Sequence, residues 1–372
     1  MMFETRRWNL PLRTWPTLLL VLATTAAAVE SVAPVAAPQT LGTFPACETS
    51  AVRWLACAPG ADHRCAIVGD NELLGKDEVP AGQPRTNLFG FEQTPDGLLA
   101  KQQPMTLVLA NAKKIDDIEA IEALDGTLLV FGSHSRKSFK RQCEIDKDRL
   151  AFAVLERSGS TLKGTVVLTP PDQWSTMLSD GGCREQLITV ASADPAHAMA
   201  DQICQTIAAA HAAATQTEQD CSRAFNIEGV VALPDTNGVP RVWVGLRSPL
   251  VGAKAVLLRL HDLTALRFDA VALVDLGGSG VRDLAYARDA LWLLGGPMGD
   301  AQTPGTLWRV TASELTNGAS PAATRVTSVD PLPPFSEGLT IDDASGEMLV
   351  VVDGELGTGT CTTPAQQLRR TL

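Results

Sequence analysis

Acidic residues recur at a regular spacing in the sequence, and their carboxylates could bind a metal ion. Glu228, Asp283 and Glu337 each open a short apolar alternation and are separated by 55 and 54 residues. Glu119 lies 109 residues before Glu228, which is about two such periods. Carboxylates that face one cavity repel each other unless a cation or arginines neutralise them. Oxygen ligands of this kind suit calcium, so these four acids are candidate metal ligands.

Basic side chains fall in loops beside the same segments. His134, Arg136, Arg247 and Arg282 are candidate ligand-binding residues together with Glu228. A guanidinium group suits bidentate contact with phosphate or carboxylate, and a histidine titrates near neutral pH. Two structural alternatives stay open. The arginines could simply pair with the acids, or each acid could cap backbone amides of a neighbouring unit.

The acids mark a repeat that must position them. Each acid lies near the start of a segment that contains an apolar alternation, a turn, a second apolar run and a loop with Gly or Ser. The four segments are DIEAIEALDGTLLVFGSHSR, NIEGVVALPDTNGVPRVWVGLRSPL, GVRDLAYARDALWLLGGPMG and FSEGLTIDDASGEMLVVVDGE. A period near 50 residues with short strands is typical of a propeller. The sequence predicts an all-β fold, a β-propeller of about five to six four-stranded blades. The last unit is too short for four strands, so a strand from elsewhere must complete it.

A helical excursion, rich in cysteine, is predicted over residues 170–222. It contains DPAHAMADQICQTIAAAHAAATQT, an Ala-rich stretch with Asp194 as a plausible cap and Pro195 in the first turn. It either replaces a degenerate blade or lies over one face of the propeller, and we favour the second. The sequence GGSG at 277–280 leads into a strand rather than a helix, so we interpret it as a turn between blades.

The N-terminus has the pattern of an exported protein. Residues 1–28 combine three arginines, an apolar run and the small residues Ala26–Ala28, which predicts a signal peptide. The apolar run is shorter than the ~20 residues of a membrane span, although an uncleaved anchor is the alternative. Residues 29–46 form a Pro/Ala-rich segment, and residues 47–372 are the predicted propeller domain. No other stretch is expected to span a bilayer.

Eight cysteines follow the predicted cleavage site, which indicates disulfides. Nearness suggests pairing of Cys57 with Cys65 or Cys47, and pairing within Cys183, Cys204 and Cys221. A bond from Cys361 to the N-terminal region would lock a closed ring. No cysteine or histidine spacing fits zinc.

The net charge and the lack of common catalytic motifs limit the classes of partner and reaction that we expect. The formal charge of −11 disfavours nucleic acid and anionic lipid as partners. We expect a monomer, periplasmic or secreted, whose partner is a small polar or anionic ligand or an envelope protein. GxSxG, HExxH and a phosphate-binding loop ending in Lys-Ser/Thr are absent from the sequence. Whether the protein is an enzyme is left open.

Four stretches carry a family resemblance: GSHSRK, NIEGVVALPDTNGVPRVWVGLRSPL, DLGGSGVRDL and SEGLTIDDASGEMLVVVDGE. In this order they resemble the bacterial family called domain of unknown function 3616, which is propeller-like. The strand pattern following Glu-Gly is also similar to the phytase-like group of secreted proteins. The resemblance runs from about Glu48 to the C-terminus and implies a fold far more than an activity.

Three hypotheses follow. The first is a secreted or periplasmic propeller that binds a small polar or anionic ligand, or a partner, at the mouth of its channel. The alternative is a phytase-like, metal-dependent phosphoester hydrolase in which the acids hold the metal, with calcium as the candidate cofactor. The third is a purely structural envelope protein.

Overall fold

Short strands are the main secondary structure of the described residues, and alternate side chains of a strand face opposite sides of its sheet. The computed structural model describes residues 37–57, 64–71, 73, 79, 85–139, 142–144, 146–169, 179–187, 195–213, 221, 223–299, 301–357 and 360–372. The expected signal peptide at 1–28 lies outside the described residues. Within them, no helix is both long enough and apolar enough to cross a membrane.

The strands in chain order are β1 (Gln39–Thr40), β2 (Thr49–Ala56), β3 (Arg64–Asp70), β4 (Leu88–Gln93), β5 (Leu99–Pro104), β6 (Thr106–Leu109), β7 (Ile118–Leu124), β8 (Thr127–Gly132), β9 (Lys137–Phe139), β10 (Gln142–Glu144), β11 (Ala151–Ser158), β12 (Thr161–Leu168), β13 (Asn226–Pro234), β14 (Pro240–Ser248), β15 (Ala255–Leu260), β16 (Phe268–Val274), β17 (Gly280–Ala287), β18 (Ala290–Gly296), β19 (Thr306–Thr311), β20 (Thr324–Arg325), β21 (Ser336–Ile341), β22 (Glu347–Val352), β23 (Glu355–Gly357), β24 (Thr360–Thr363) and β25 (Gln366–Thr371). Among the described residues, the α-helices with assigned bounds are α1 (Asp180–Gln186) and α2 (Pro195–Ala213), and short 3-10 helices span Ala312–Glu314 and Thr327–Val329.

Five sheets form the blades of a propeller, which confirms the predicted fold at the lower blade count. From the inside outward they are β2-β3-β4-β5, β7-β8-β11-β12, β13-β14-β15-β16, β17-β18-β19-β20 and β21-β22-β25-β1. The inner strands β2, β7, β13, β17 and β21 each contact the inner strands of the two neighbouring blades, so the ring is closed.

The ring is closed by the N-terminal segment. Strand β1 pairs with β25 and supplies the outer strand of the fifth blade, as the short last unit required. A disulfide between Cys47 and Cys361, termed here the ring-closing disulfide, joins the same two ends of the chain. Both features hold the first and fifth blades together.

The core lies between the blades rather than within one of them. Five clusters of buried apolar side chains each draw on two neighbouring blades, which matches the five interfaces of a closed ring. A single sheet cannot bury both of its faces, so stacking the blades supplies the apolar burial that stabilises them.

A helical excursion is present, as predicted, and it joins the second blade to the third, whereas the expected cap Asp194 lies outside the described residues. Helix α2 begins at Pro195, and Ile203 and Ile207 bury against the apolar cluster shared by those blades. Of the expected cysteine pairs, Cys57–Cys65 and Cys183–Cys204 are present. The third cysteine of the predicted trio, Cys221, bonds instead to Cys143 in the second blade.

The outer edge of the first blade is not formed by the strand that precedes the second blade in the chain. Strand β6 is instead added in parallel to β12 of the second blade. The fourth strand of the first blade is Leu99–Pro104. Its sequence, LAKQQP, gave no strand signal because its apolar side chains do not alternate and it ends in proline.

Candidate functional site

A bulge interrupts the start of every inner strand. The register of each inner strand against its neighbour skips one residue, and the bulged residues are Ser50, Glu119, Glu228, Arg282 and Glu337. Bulges re-aim side chains and are frequent beside functional sites. We use the term mouth for the end of the ring where the inner strands begin and these five buried residues lie.

Close packing between inner strands explains why glycine follows the bulged glutamate in the pairs Glu228-Gly229 and Glu337-Gly338. The residue after the bulge faces a neighbouring inner strand at close range. A Cβ on Gly229 would lie 2.8 Å from Leu284 Cγ, and a Cβ on Gly338 would lie 3.0 Å from the backbone of Ala51. The motif therefore combines a carboxylate at the mouth with a residue small enough for the inner strands to approach.

The equivalence expected for Asp283 is wrong by one residue. Arg282 occupies the bulge of the fourth blade, and the spacing from bulge to bulge is 54 and then 55 residues. Asp283 lies one residue further along, fully buried, and its Oδ2 accepts the backbone N–H of Leu339 in the fifth blade at 2.7 Å. Asp283 is thus a cap on a neighbouring blade, which is one of the structural alternatives.

Arg282 joins three blades at the mouth. Its Nη1 donates to Glu228 Oε2 at 3.1 Å and also to Glu337 Oε1. Its Nη2 donates to the carbonyl oxygen of Pro297 at 3.2 Å. Because only 2% of Arg282 is exposed, these pairs are held in a low-dielectric setting where each partner is costly to remove.

Arg247 approaches Glu228 from the other side. Its Nη1 donates to Glu228 Oε1 at 2.8 Å, and Asn226 Nδ2 donates to the same oxygen at 2.9 Å. Burial alone would lower the pKa of Arg247, but the carboxylates of Glu228, Glu337 and Glu119 outweigh burial and raise it. Both oxygens of Glu228 are therefore engaged by guanidinium groups.

Glu119 is placed differently from the other two glutamates. It is 7% exposed, and its Oε2 is buried without a hydrogen-bond partner among the described residues. Burial raises the pKa of Glu119 well above its ordinary value, and the nearby carboxylates of Glu228, Asp117 and Glu337 raise it further. Arg247 acts in the opposite direction. Glu119 is thus a buried carboxyl group in an acidic neighbourhood with capacity to accept or donate one more hydrogen bond.

A second layer, centred on Arg53 of the first blade, closes the channel below the mouth. Arg53 donates to the carbonyl oxygens of Ile121 at 2.8 Å, Val230 at 3.1 Å, Leu284 at 3.0 Å and Leu339 at 3.1 Å. These carbonyls belong to the inner strands of the four other blades. One guanidinium group therefore satisfies main-chain acceptors all round the axis.

Two carboxylates balance the charge of Arg53. Glu122 Oε1 lies 3.8 Å from its Nε, and Asp283 Oδ1 lies 3.6 Å from its Nη2. Burial raises the pKa of both acids, and Arg53 lowers both. Glu122 also accepts the backbone N–H of Ala232 in the third blade at 3.2 Å. We call this layer of Arg53, Glu122 and Asp283 the plug, because its side chains bind one another and the backbone of the second to fifth blades.

The order of these elements matches a known family over most of the chain. The family described as "Protein of unknown function (DUF3616)" matches residues 100–354. The chain belongs to this family. The matched range contains Glu119, Glu228, Arg282 and Glu337, whereas Arg53 of the plug lies before it. No curated protein matches the chain.

Solved structures resemble this DUF3616 chain at low identity. A glucose dehydrogenase is 10% identical, covers 91% of this chain and 100% of its own, and has a TM-score of 0.40. PhoX of Pseudomonas fluorescens in complex with vanadate is 10% identical over 87% and 88%, with a TM-score of 0.41. A GH43_1 enzyme of Xanthomonas citri complexed with xylose is 9% identical over 91% of each chain, with a TM-score of 0.38. Similarity at this level says nothing about the activity of the DUF3616 chain.

The remaining basic candidates lie at the edge of the mouth. His134 is fully buried after β8, its Nδ1 lies 2.8 Å from the carbonyl oxygen of Gly132, and burial lowers its pKa to about 4. Arg136 Nη1 contacts His211 Nδ1 on α2 at 3.0 Å. His134 is therefore neutral at physiological pH, and Arg136 connects the second blade to the helical excursion.

The four acids proposed to hold calcium do not form a ligand set. The described residues contain no group of three or more Asp, Glu, His or Cys side chains that could hold a metal ion. Glu228 and Glu337 face Arg282, and Asp283 caps a backbone amide in the layer below. Calcium requires several oxygens that converge on one point, and these acids do not fit that requirement.

Sequence reasoning missed Arg53, Glu122, Asp117 and Asp353 as parts of the two layers. Asp117 pairs with Arg149 at 3.1 Å, and the buried Oδ1 of Asp353 has no hydrogen-bond partner among the described residues. The first inner strand has Ser50 rather than an acid at its bulge, so the unit that supplies Arg53 lacked the repeat signature.

Proposed function

We propose that this DUF3616 protein is a binding propeller, secreted or periplasmic, that takes a small polar ligand through a protonated amino group at the mouth of the ring. This choice keeps the expected small polar ligand at the mouth but replaces the anionic ligand of the sequence analysis with a cationic one. The observation that carries it is the buried Oε2 of Glu119, which lacks a partner among the described residues and is surrounded by other carboxylates.

The charges at the mouth support a cationic ligand over an anionic one. Arg282 and Arg247, the groups that would receive an anion, both donate to Glu228. An incoming anion would have to displace those carboxylates and would then meet Glu119 and Glu337. An ammonium group instead offers up to three donors to carboxylate oxygens and relieves their mutual repulsion.

Binding of this kind couples to a proton. The raised pKa of Glu119 means that it holds a proton above the pH at which an ordinary glutamate loses it. An ammonium ligand favours the ionised carboxylate, so binding expels that proton. The affinity for an amine should therefore increase as pH rises toward neutrality.

The covalent frame is compatible with an exported binder. The eight cysteines form four disulfides, and such pairing persists in oxidising compartments. The ring-closing disulfide holds the first and fifth blades together, and those blades supply Ser50 and Glu337 to the mouth. A fixed ring lowers the ordering cost of binding a small ligand.

Thermal denaturation with a matched pair of compounds tests the proposal. Putrescine carries two ammonium groups, and 1,4-butanediol has the same carbon chain with hydroxyls. A ligand at 100 times its Kd stabilises by about 2.7 kcal/mol, which is about 3 °C for a chain of 372 residues. We expect putrescine to raise the Tm, and butanediol, phosphate and citrate to leave it unchanged.

The variant Glu119→Gln should lose the response to putrescine, while Glu156→Gln, which removes an exposed glutamate from β11, should retain it. Stabilisation by phosphate or citrate, abolished by Arg282→Gln, would contradict the proposal and support an anion site. Turnover of phosphate esters by the wild-type protein would support the hydrolase hypothesis instead.

A further inference from the structure

A second cavity lies at the end of the ring opposite the mouth, between the third and fourth blades. Its volume is about 750 Å³, within the range of pockets that hold small organic ligands. Its walls come from the turn after β13, the facing edges of β15 and β16, and the segment that follows β19. None of its lining residues belongs to the mouth.

The charged side chains of this cavity already neutralise each other. Arg241 Nε lies 3.1 Å from Asp235 Oδ2, and Arg259 Nε lies 2.6 Å from Asp269 Oδ1. Asp289 adds one further acid to the lining. The lining therefore carries no surplus of positive charge to attract a phosphate or a carboxylate.

The same contacts leave directional hydrogen-bonding groups for a ligand. Both arginines are held through Nε, which leaves the terminal Nη groups of each as donors. Asn317 fixes its Oδ1 on the backbone N–H of Val271 at 3.1 Å, so its NH₂ is the end that a ligand can use. Donors in fixed directions beside paired carboxylates suit hydroxyl groups, which donate and accept at once.

An apolar surface accompanies these polar groups. Tyr286 lines the cavity with its ring half-buried, and its hydroxyl donates to Asp289 Oδ1 at 3.3 Å. Leu315, which is 7% exposed, lies beside it in the lining. An aromatic ring with a polar tip next to an aliphatic side chain matches a ligand with one C–H face and hydroxyls at its rim.

We propose that this cavity is a binding site for a neutral saccharide, with Arg241, Arg259 and Asn317 as hydrogen-bonding residues and Tyr286 as the surface for a sugar ring. The site is separate from the mouth, because Arg53 and its four carbonyl partners close the channel between the two ends. It does not depend on the proposal for Glu119.

Titration calorimetry of the full-length protein with maltose and cellobiose tests the assignment. We expect at least one of these neutral disaccharides to bind, and inorganic phosphate at the same concentrations to give no signal. Dextran is titrated in a second experiment to distinguish a glycan chain from a free sugar. Binding of dextran together with a disaccharide identifies a glycan chain as the source, and binding of the disaccharide alone identifies a free sugar, so both outcomes support the site.

Variants decide where the sugar binds. Arg241→Gln and Tyr286→Ala should each weaken disaccharide binding, the first by about tenfold or more, as expected when a donor to a ligand hydroxyl is lost, and the second because the aromatic face is removed. Arg325→Gln is the matched control, because Arg325 forms a similar exposed pair with Asp330 outside the cavity. Glu119→Gln should bind the disaccharide as the wild type does.

The proposal is overturned if neither disaccharide binds, if phosphate competes with them, or if both cavity variants bind with wild-type affinity. Wild-type melting temperatures of Arg241→Gln and Tyr286→Ala would show that loss of binding is not loss of folding. If one of the two is destabilised, the other carries the test, since they lie on different blades.

Discussion

Replacing Arg53 with methionine removes the group that satisfies main-chain acceptors of four other blades at the centre of the ring. Arg53, Glu122 and Asp283 are 6%, 8% and 0% exposed. Removing one partner of a buried ion pair costs about 3–5 kcal/mol, because the remaining charge is left uncompensated. The four carbonyls that lose a donor add to this cost wherever water cannot replace it, by about 1–3 kcal/mol each at most.

This cost corresponds to a measurable change in melting temperature. Unfolding entropy of about 2.1 cal/mol/K per residue gives about 0.8 kcal/mol/K for 372 residues. A loss of about 3–5 kcal/mol then lowers the Tm by roughly 4–6 °C. Equilibrium urea denaturation, followed by the fluorescence of the seven tryptophans, measures the free energy directly. Arg325→Met is the control, since an exposed pair contributes about 1 kcal/mol or less.

The pH dependence provides a second check on the same variant. Burial raises the pKa of Glu122 and Asp283, and Arg53 opposes that rise. Without Arg53 both pKa values rise further, so the folded variant retains protons that the unfolded chain releases above about pH 4. Stability then falls more steeply with pH. The loss should be larger at pH 8 than at pH 5. A loss below about 1 kcal/mol, or an equal loss at both pH values, would refute the role assigned to Arg53.

Three further changes follow from the same geometry. Because the pKa of Glu119 is raised in the folded state, its contribution to stability is complete below its ordinary pKa of 4.5 and is lost as pH rises through the folded pKa. In urea denaturation, Glu119→Gln should therefore stabilise the protein by about 1–3 kcal/mol at pH 8 and should not stabilise it at pH 4. Gly338→Ala should cost about 1–3 kcal/mol because its Cβ would meet backbone, whereas Gly181→Ala, with open space around it, should not destabilise. The ring-closing disulfide spans a sequence separation of 314, and Cys57–Cys65 spans a separation of 8. In the chain-entropy model, deleting the first should therefore destabilise the protein by about 3 kcal/mol more than deleting the second. Equal melting temperatures of the two deletion variants would contradict this.

The fold could be predicted because its signals are local. Alternation along each strand, turns between strands and a period near 50 residues follow from how a single blade must bury its faces. The need for a strand from elsewhere followed from the length of the last unit, and β1 supplies it. The partner of Cys221 could not be predicted, because the position of Cys143 beside it depends on the packed ring.

The site was predictable only in part, because residue type does not reveal register. Sequence reasoning brought Glu228, Arg247 and Arg282 to one place, and the structure shows them in contact. It matched Asp283 to the other acids, although a bulge set by pairing with β18 places Arg282 there. Arg53 carried no signal, since its partners are backbone carbonyls from strands more than sixty residues away.

Titration calorimetry of putrescine in two buffers with different ionisation enthalpies tests the central claim most directly, because it reports both binding and proton release. We predict that wild-type protein binds putrescine with release of a proton near neutral pH, and that Glu119→Gln, although more stable, binds at least tenfold more weakly and releases none. Equal affinity for putrescine and 1,4-butanediol, or unchanged binding and proton release in Glu119→Gln, would contradict the account.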